Sequence, residues 1–216
     1  MIKLVAFDLD GTIADTIPMC IEAFKQAVSP YASKILPEDD IVKTFGLNEE
    51  GMIKEVVSKD WEKALIDFYV IYKEMHTVYI QPLVGIRELI TELKENSIFV
   101  SLITGKGQRS CDITLHHFQM EALFDSISIG SPDRNTKAES MTELMSKYNI
   151  QPAEMVYVGD EFSDITACSK VGIQCLSAAW IASLSKIKKL EKENQGYVFS
   201  SIKSLHSFLK KEVILV

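Results

Sequence analysis

The sequence predicts an α/β fold, in which a doubly wound parallel sheet forms the core and an α-helical cap domain is inserted into it. Two observations predict the core: residues 2–7 form a short apolar run that ends in acids, and residues 82–216 alternate short apolar runs with amphipathic segments. Such alternation is typical of parallel strands covered by helices. A third observation predicts the cap, because residues 16–81 have helical periodicity and no strand pattern.

The strands and helices of the core follow from the spacing of the apolar residues. Short apolar runs predict strands at residues 2–7, 98–103, 126–129, 155–158 and 174–176, with a last edge strand at 197–199. Amphipathic segments predict helices at residues 86–93, 108–118, 137–148, 163–171, 183–193 and 202–209. The first of these helices has the apolar stripe of a helix that faces a core, formed by Ile86, Leu89, Ile90 and Leu93.

The segment between the first strand and residue 82 is predicted to be a separate helical domain. We therefore expect residues 1–15 and 82–216 to form the core and residues 16–81 to form the cap. Three aromatic residues at helical spacing are expected to pack inside the cap: Phe68, Tyr69 and Tyr72. The loop at residues 44–48, which contains a glycine, either faces the active site or is a plain turn between helices.

Composition and charge exclude several classes of function. The 216 residues carry a formal net charge of −7, and such an acidic surface repels nucleic-acid backbones. No apolar run is long enough to span a bilayer, and the amino terminus lacks the pattern of a signal peptide. The four cysteines form no CxxC pair, which favours free thiols in a reducing compartment. We therefore expect a cytoplasmic protein, a monomer or a weak homodimer, that binds neither nucleic acid nor membrane.

Polar residues follow four of the predicted strands at the points where these strands end. Asp8 and Asp10 follow the first strand, and Thr104 follows the second. Lys137 comes after the third strand and Asp160 after the fourth. Because ligands of open α/β sheets bind beyond the carboxyl ends of the strands, we expect these side chains to share one site.

The types of these residues suit the transfer of a phosphoryl group. Asp8 and Asp10, two apart at an extended strand end, project to the same side, so that one can act as nucleophile while the other moves protons. Gly11 allows the backbone to approach a phosphate closely. Asp160 adds a carboxylate from the opposite side, and a small number of carboxylates suits Mg²⁺. The hydroxyl of Thr104 can donate a hydrogen bond to a phosphoryl oxygen.

Two lysines are candidates for the residue that binds the phosphate. Lys137 begins a predicted helix, where an anion would also meet the positive end of the helix, and it is the favoured candidate. Lys106, which follows the second strand, is the rival. The basic run at residues 186–189 is followed by glutamates and is interpreted as a solvated helix face.

These motifs resemble those of the haloacid dehalogenase-like hydrolase superfamily, which consists mostly of phosphatases. The first motif of that family is similar to Asp8-Leu9-Asp10-Gly11-Thr12, and the second to Leu102-Ile103-Thr104. The third is similar to Lys137, and the fourth to Gly159-Asp160-Glu161-Phe162-Ser163-Asp164. The resemblance covers nearly the whole chain and implies a Rossmann-type core. The segment 16–81 resembles the helical cap of the phosphoglycolate phosphatase and β-phosphoglucomutase branch.

The resemblance implies a mechanism and a set of ligands. Asp8 would attack phosphorus and become an aspartyl-phosphate, while Asp10 would protonate the leaving oxygen and then activate water. Mg²⁺ would be held by Asp8, the backbone carbonyl of Asp10, and Asp160. Asp164 would orient Lys137 or a metal-bound water from behind the site. The phosphoryl oxygens would be bound by Asp8, Leu9, Asp10, Gly11, Thr104, Gly105 and Lys137.

The implied activity is the hydrolysis of a small phosphorylated metabolite, and two alternatives stay open beside it. A phosphomutase would form the same aspartyl-phosphate but return the phosphoryl group to a sugar phosphate. A non-catalytic phospho-receiver module would also use an aspartate, a threonine and a lysine with Mg²⁺. Such a module is about half as long as this chain and has no cap after its first strand.

Overall fold

The structure is a computed structural model that describes residues 1–32 and 36–213. Its sheet consists of β1 (Leu4–Phe7), β2 (Phe99–Ile103), β3 (Ser126–Ser128), β4 (Met155–Gly159), β5 (Gln174–Ala178) and β6 (Val198–Phe199). All neighbouring strands are parallel, in the order β3-β2-β1-β4-β5-β6. The predicted α/β fold with a doubly wound parallel sheet is therefore confirmed.

The helices of the described residues fall into two groups. The first group lies between β1 and β2: α1 (Ile17–Val28), α2 (Glu38–Val42), α3 (Glu49–Val56), α4 (Trp61–Tyr79) and α5 (Ile86–Glu95). The second group alternates with the later strands: α6 (Gln108–Phe118), α7 (Lys137–Tyr148), α8 (Phe162–Val171), α9 (Leu184–Glu193) and α10 (Ile202–Val213). Within residues 1–32 and 36–213, no helix has both the length and the apolar character needed to cross a membrane.

The central strand β1 is buried on both faces, which explains why its sequence is an unbroken apolar run. Val5 and Phe7 face one layer of the core, which α5, α6 and α10 cover. Leu4 and Ala6 face the opposite layer, which α7 and α8 cover. Because β1 pairs with both β2 and β4, the carboxyl ends of three strands lie side by side.

The predicted and observed strands differ mainly at their ends. Strand β5 runs on to Ala178, past its predicted end at residue 176, even though Ser177 is polar. Ser177 is buried at this position because its polar groups have partners. Its amide donates to the carbonyl of Tyr197 at 2.7 Å, and its hydroxyl accepts from Asn194 at 2.9 Å. A polar residue can therefore continue a buried strand when both of its groups are satisfied.

Helices α1–α4 lie within the segment 16–81 and share a hydrophobic cluster that is separate from the two layers of the sheet. The ring of Phe68 lies edge-to-face against Phe24, with centroids 6.4 Å apart, and stacks on Tyr72 at 5.3 Å. Phe68 and Tyr72 are buried, and Tyr69 is half-buried. These aromatic residues thus pack inside the helical segment, as their periodicity predicts.

The helical segment leaves and re-enters the core at one place. The amide of Leu83 donates to the carbonyl of Ile13 at 2.9 Å, so the outgoing and returning chains lie side by side. Farther along, α4 packs against α6 of the core through a buried polar contact. The hydroxyl of Tyr72 and the Nε2 atom of His76 lie 2.7 Å and 3.0 Å from the Thr114 hydroxyl.

Candidate active site

The structure brings the polar residues of the strand ends to one edge of the sheet. Asp8 follows β1 directly, and its amide still donates to the carbonyl of Val158 in β4, at 2.8 Å. Thr104 follows β2, and Asp160 follows β4. Lys137 is the first residue of α7. These four side chains are buried: Asp8, Thr104, Lys137 and Asp160.

Lys137 lies between two buried carboxylates. Its Nζ atom donates to Asp8 Oδ2 at 2.8 Å and to Asp164 Oδ1 at 2.6 Å. Burial alone would favour the neutral amine, but the charges of Asp164 and Asp8 hold the pKa of Lys137 well above its usual value. The lysine is therefore a fixed positive charge beside the candidate nucleophile.

Asp164 has two roles in the structure. Its Oδ2 atom accepts from the amide of Glu161 at 3.0 Å, which caps the start of α8. Its Oδ1 atom holds Lys137. Asp164 therefore caps α8 and also holds the lysine that it is expected to orient.

Three carboxylates are grouped closely enough to hold a cation. Asp8, Asp160 and Asp164 each offer an oxygen within 4.8 Å of the others. Asp160 Oδ1 is buried without a hydrogen-bond partner, whereas both oxygens of Asp164 are already bonded. Asp160 is therefore the freest ligand of the three, since Asp8 also accepts two hydrogen bonds, from the Leu9 amide and from Lys137. The Asp10 side chain is not part of the group.

The charges of these carboxylates also fit a divalent cation. Burial, reinforced by Asp164 and Asp160 and opposed by Lys137, raises the pKa of Asp8 to about 8. Burial likewise raises the pKa of Asp160 to about 7. The lysines that pair with them, Lys137 with Asp8 and Lys186 with Asp160, offset the effect of burial only in part. Oxygen ligands with this deficit suit Mg²⁺.

Asp10 points to a different set of partners from Asp8. Its Oδ1 atom accepts a hydrogen bond from the Thr16 hydroxyl and forms an ion pair with Lys106 Nζ at 3.1 Å. Lys106 also contacts Cys20 Sγ at 3.2 Å and lies 4.7 Å above the ring of Tyr72. The two candidate lysines therefore do not compete for one place, since Lys137 lies on the carboxylate of Asp8 and Lys106 on that of Asp10.

Gly11 makes room for Asp160. Its φ is +78°, and a Cβ atom added there would lie 2.5 Å from Asp160 Oδ2. A glycine at this turn therefore lets the carboxylate after β4 approach the chain after β1. Leu9 and Gly11, which are predicted to bind phosphate, are buried and do not line the cavity at the site, and the Leu9 amide already donates to Asp8 Oδ1 at 2.8 Å.

Lys186 joins the site although the sequence did not single it out. Its Nζ atom donates to Asp160 Oδ2 at 2.9 Å and to Glu161 Oε1 at 2.6 Å. The prediction that residues 186–189 form a solvated face is therefore wrong for Lys186, because α9 begins beside the loop after β4. The sequence does contain an indication of this contact. Ser183 caps α9, so Lys186 lies in the first turn of that helix. The helix dipole disfavours a cation there unless an acidic partner is nearby.

A cavity of about 520 Å³ lies above these residues, between the sheet edge and the helical segment. The sheet side contributes the polar residues, including Asp8, Asp10, Thr104, Gly105 and Lys137. The helical segment contributes residues of α1, α2, α3 and α4 and the loop at residues 44–48, whose Phe45, Gly46 and Leu47 line the cavity. This loop therefore faces the candidate site.

Three hydrogen bonds hold the start of α3 against the loops of the core. The amide of Asn48 donates to the carbonyl of Ser131 at 2.9 Å, and its side chain donates to that of Gly130 at 3.4 Å. The buried Glu49 carboxylate accepts from the amide of Gly107 at 2.8 Å. The helical segment is thus closed over the site.

Comparisons with known proteins agree with this arrangement. The model of the family described as "haloacid dehalogenase-like hydrolase" matches residues 5–178. Phosphoglycolate phosphatase of Synechococcus elongatus is 20% identical over 180 residues, which are 82% of this chain and 84% of that protein. Pyrophosphatase PpaX of Bacillus mycoides is 21% identical over 212 residues, or 97% of this chain and 98% of that protein.

A crystal structure shows the same fold. A predicted phosphoglycolate phosphatase from Haemophilus somnus superposes with a TM-score of 0.78 at 16% identity, over 96% of this chain and 97% of that one. The matched family and the phosphatases among the relatives support a phosphoric monoester hydrolase. Since the family model spans most of the chain, including all four strand ends that build the site, the chain belongs to the haloacid dehalogenase-like hydrolase family.

Proposed function

We propose that this hydrolase is a magnesium-dependent phosphatase that cleaves a small phosphomonoester through an aspartyl-phosphate on Asp8. One observation carries the proposal. The Asp8 carboxylate lies at the floor of a cavity, 2.8 Å from a fixed ammonium of Lys137 and beside the unpartnered Oδ1 atom of Asp160. A nucleophilic carboxylate, a cation for phosphoryl oxygens and a free metal ligand thus meet at one point.

In the first half-reaction, an oxygen of Asp8 attacks phosphorus, and the bond between phosphorus and the leaving oxygen breaks. Asp10 gives a proton to the leaving oxygen, so that the product departs as a neutral alcohol. The Lys137 ammonium and the Thr104 hydroxyl bind phosphoryl oxygens and offset the charge that develops on them. The products of this half are the alcohol and phosphorylated Asp8.

In the second half-reaction, Asp10 takes a proton from a water molecule, which attacks the phosphorus of the aspartyl-phosphate. The bond from phosphorus to Asp8 breaks, so that inorganic phosphate leaves and the Asp8 carboxylate is restored. Asp10 is well placed to be the base, because it lines the cavity and its carboxylate is held in position by Lys106 at 3.1 Å and by the Thr16 hydroxyl.

Asp8 and Asp160, with the backbone carbonyl of Asp10, would hold Mg²⁺. When bound, the ion would supply positive charge that offsets the charge developing on the phosphoryl oxygens. The donor set fits this ion because its atoms are hard oxygens and because Asp160 Oδ1 has no hydrogen-bond partner among residues 1–32 and 36–213. Burial also keeps the pKa of both carboxylates raised although each of them is paired with a lysine.

The test is phosphate release from a panel of phosphomonoesters, with Mg²⁺ and with EDTA. Asp8→Asn should lower kcat by several orders of magnitude, as loss of a covalent nucleophile does. The matched control is Asp15→Asn, since Asp15 is a nearby exposed aspartate. If Asp8→Asn kept about a tenth of the wild-type kcat, Asp8 could not be the nucleophile.

The same assay separates the alternatives. Conversion of a sugar phosphate to its isomer, without release of inorganic phosphate, would identify a mutase. An aspartyl-phosphate that lasts for minutes in the wild-type protein would favour a receiver module. We also propose a cytoplasmic location, which is supported by the absence of any disulfide among the four cysteines, all of which the structure describes.

A further inference from the structure

We propose that the leaving group of the substrate is an uncharged and largely apolar alcohol. This inference rests on the proposed function, since it concerns the part of the phosphomonoester that departs. It differs from what the names of the relatives would suggest. In phosphoglycolate the leaving group carries a carboxylate, and in pyrophosphate it is a second phosphate.

The first argument is the distribution of polarity around the cavity. Its polar residues are grouped at the sheet edge, where the phosphoryl group would be bound. The opposite wall comes from the helical segment and is mostly apolar. The side chains that build most of it are Ile21, Phe24, Val42, Phe45, Met52 and Phe68. A cavity of about 520 Å³ has room for a leaving group well beyond the phosphoryl group, and that group would contact this wall.

The second argument is the charge of the same wall. Within residues 1–32 and 36–213, the part of the lining that the segment 16–81 contributes has no lysine or arginine. Its charged residues are Glu38, which pairs with Lys25 at 3.1 Å, and Glu49. The hydrogen-bond partners of Glu49 are neutral, namely the Gly107 amide and the Tyr69 hydroxyl. An anionic leaving group would therefore face a carboxylate that forms no ion pair within residues 1–32 and 36–213.

The cations of the sheet side do not remove this difficulty. Lys106 is paired with Asp10 at 3.1 Å, and Lys137 is held by Asp8 and Asp164. Both are positioned to serve the phosphoryl group and the proton-transfer residue. Lys186 is held by Asp160 and Glu161 and does not line the cavity. Among the described residues that line the cavity, no lysine or arginine therefore remains for a second anion on the same substrate.

The third argument concerns sugars. In the described residues, the wall from the segment 16–81 offers sugar hydroxyls no hydroxyl or amide side chain. Its two carboxylates, which could accept hydrogen bonds, already have partners: Glu38 pairs with Lys25, and Glu49 accepts from Gly107 and Tyr69. Buried polar groups need hydrogen-bond partners, so a sugar would lose bonds to water there without replacement. An apolar alcohol gains instead, because every methylene that leaves water for this wall is stabilised.

The closing experiment compares substrates of matched shape. Isobutyl phosphate and phosphoglycolate differ in that an isopropyl end replaces a carboxylate of nearly the same size. We expect kcat/KM for isobutyl phosphate to exceed that for phosphoglycolate at least about tenfold. In a series of linear alkyl phosphates, each added methylene should raise kcat/KM about fourfold until the cavity is filled. Equal or reversed preference, or no dependence on chain length, would overturn the inference.

A binding measurement separates this inference from the proposed function. Isobutylphosphonate and phosphonoacetate are the corresponding compounds that cannot be hydrolysed, and calorimetry in the presence of Mg²⁺ gives their affinities without any turnover. We expect isobutylphosphonate to bind at least about tenfold more tightly. Tight binding of the apolar analogue without any hydrolysis would refute the phosphatase but support the apolar wall. Preference for phosphonoacetate would refute the apolar wall, whatever the enzyme hydrolyses.

Variants of one residue test the charge argument directly. Phe45→Lys places an ammonium at the wall. It should raise kcat/KM for phosphoglycolate, relative to kcat/KM for isobutyl phosphate, about tenfold. Phe45→Leu keeps the wall apolar and should leave phosphoglycolate disfavoured. Ile66→Lys adds the same charge at an exposed position of α4 that does not line the cavity. If Ile66→Lys changed the ratio as much as Phe45→Lys, the charge of the wall would not explain the preference.

Discussion

His76 makes the stability of the protein depend on pH in a predictable direction. Thr114 donates its own hydroxyl proton to the carbonyl of Ser110 at 3.0 Å, so it accepts from His76 Nε2 at 3.0 Å. The neutral ring therefore carries its proton on Nε2. Its Nδ1 atom is buried and has no hydrogen-bond partner within residues 1–32 and 36–213, and a second proton would be placed there. Folding thus favours the neutral form of this histidine.

The size of the effect follows from the pKa. Burial, together with the charges of Lys106 and His117, lowers the pKa of His76 from 6.5 to about 4, although Asp10 opposes this. At 1.36 kcal/mol per pKa unit, the full effect is about 3 kcal/mol. The pKa is lower in the folded state, so this stability is present above pH 6.5 and is lost as the pH falls towards 4. At a pH of about 5, the loss is about 2 kcal/mol.

The assay is urea denaturation of the wild-type protein and of His76→Gln at several pH values between about 5 and 8. Glutamine can still donate to the Thr114 hydroxyl but cannot gain a proton. The free energy of unfolding of the wild type should fall more steeply on acidification, by about 2 kcal/mol over this range. Parallel curves for the two proteins would refute the reasoning, since all other titrating groups are common to both.

Three further predictions concern the site. Gly11→Ala should lower the melting temperature and abolish Mg²⁺-dependent turnover. The control is Gly196→Ala, because Gly196 has a similar positive φ of +85° and nothing lies within 4 Å of an added Cβ. This control should lower the free energy of unfolding by about 1–2 kcal/mol only. Lys186→Met should tighten Mg²⁺ binding in a calorimetric titration roughly tenfold, because it removes a competing cation, and the exposed control Lys188→Met should not. Glu49→Gln should raise KM about tenfold, because it weakens the hydrogen bond from the Gly107 amide that holds the helical segment on the core. A hydrogen bond to a charged group contributes about 1.5–3 kcal/mol. An unchanged KM would contradict this prediction.

Much of the core could be predicted because the evidence for it is local. The apolar run of β1 and the acids that follow it are adjacent in sequence, and parallel sheets place strand ends at one edge. The approach of Lys137 to Asp8 could be expected for the same reason, although 129 positions separate them.

The contacts that could not be predicted depend on how separate elements pack. Lys186 reaches Asp160 because β5 lies next to β4 and α9 returns towards that edge. From the sequence, Glu49 is expected to be an exposed acid in the first turn of a helix. It accepts a hydrogen bond from the Gly107 amide only because α3 packs against the core. His76 has helical spacing like its neighbours, and its burial results from the packing of α4 on α6.

The hydrogen bond between Leu83 and Ile13 has a consequence for engineering. The two backbone atoms that it joins are 2.9 Å apart, so the chain could be closed there by a short turn with little displacement of the sheet. A protein shortened in this way would keep the strand ends that carry the acids and lysines. It would lack the wall that faces the leaving group. Such a minimal catalyst would show how much of the selectivity belongs to the removed portion and how much to the chemistry beneath it.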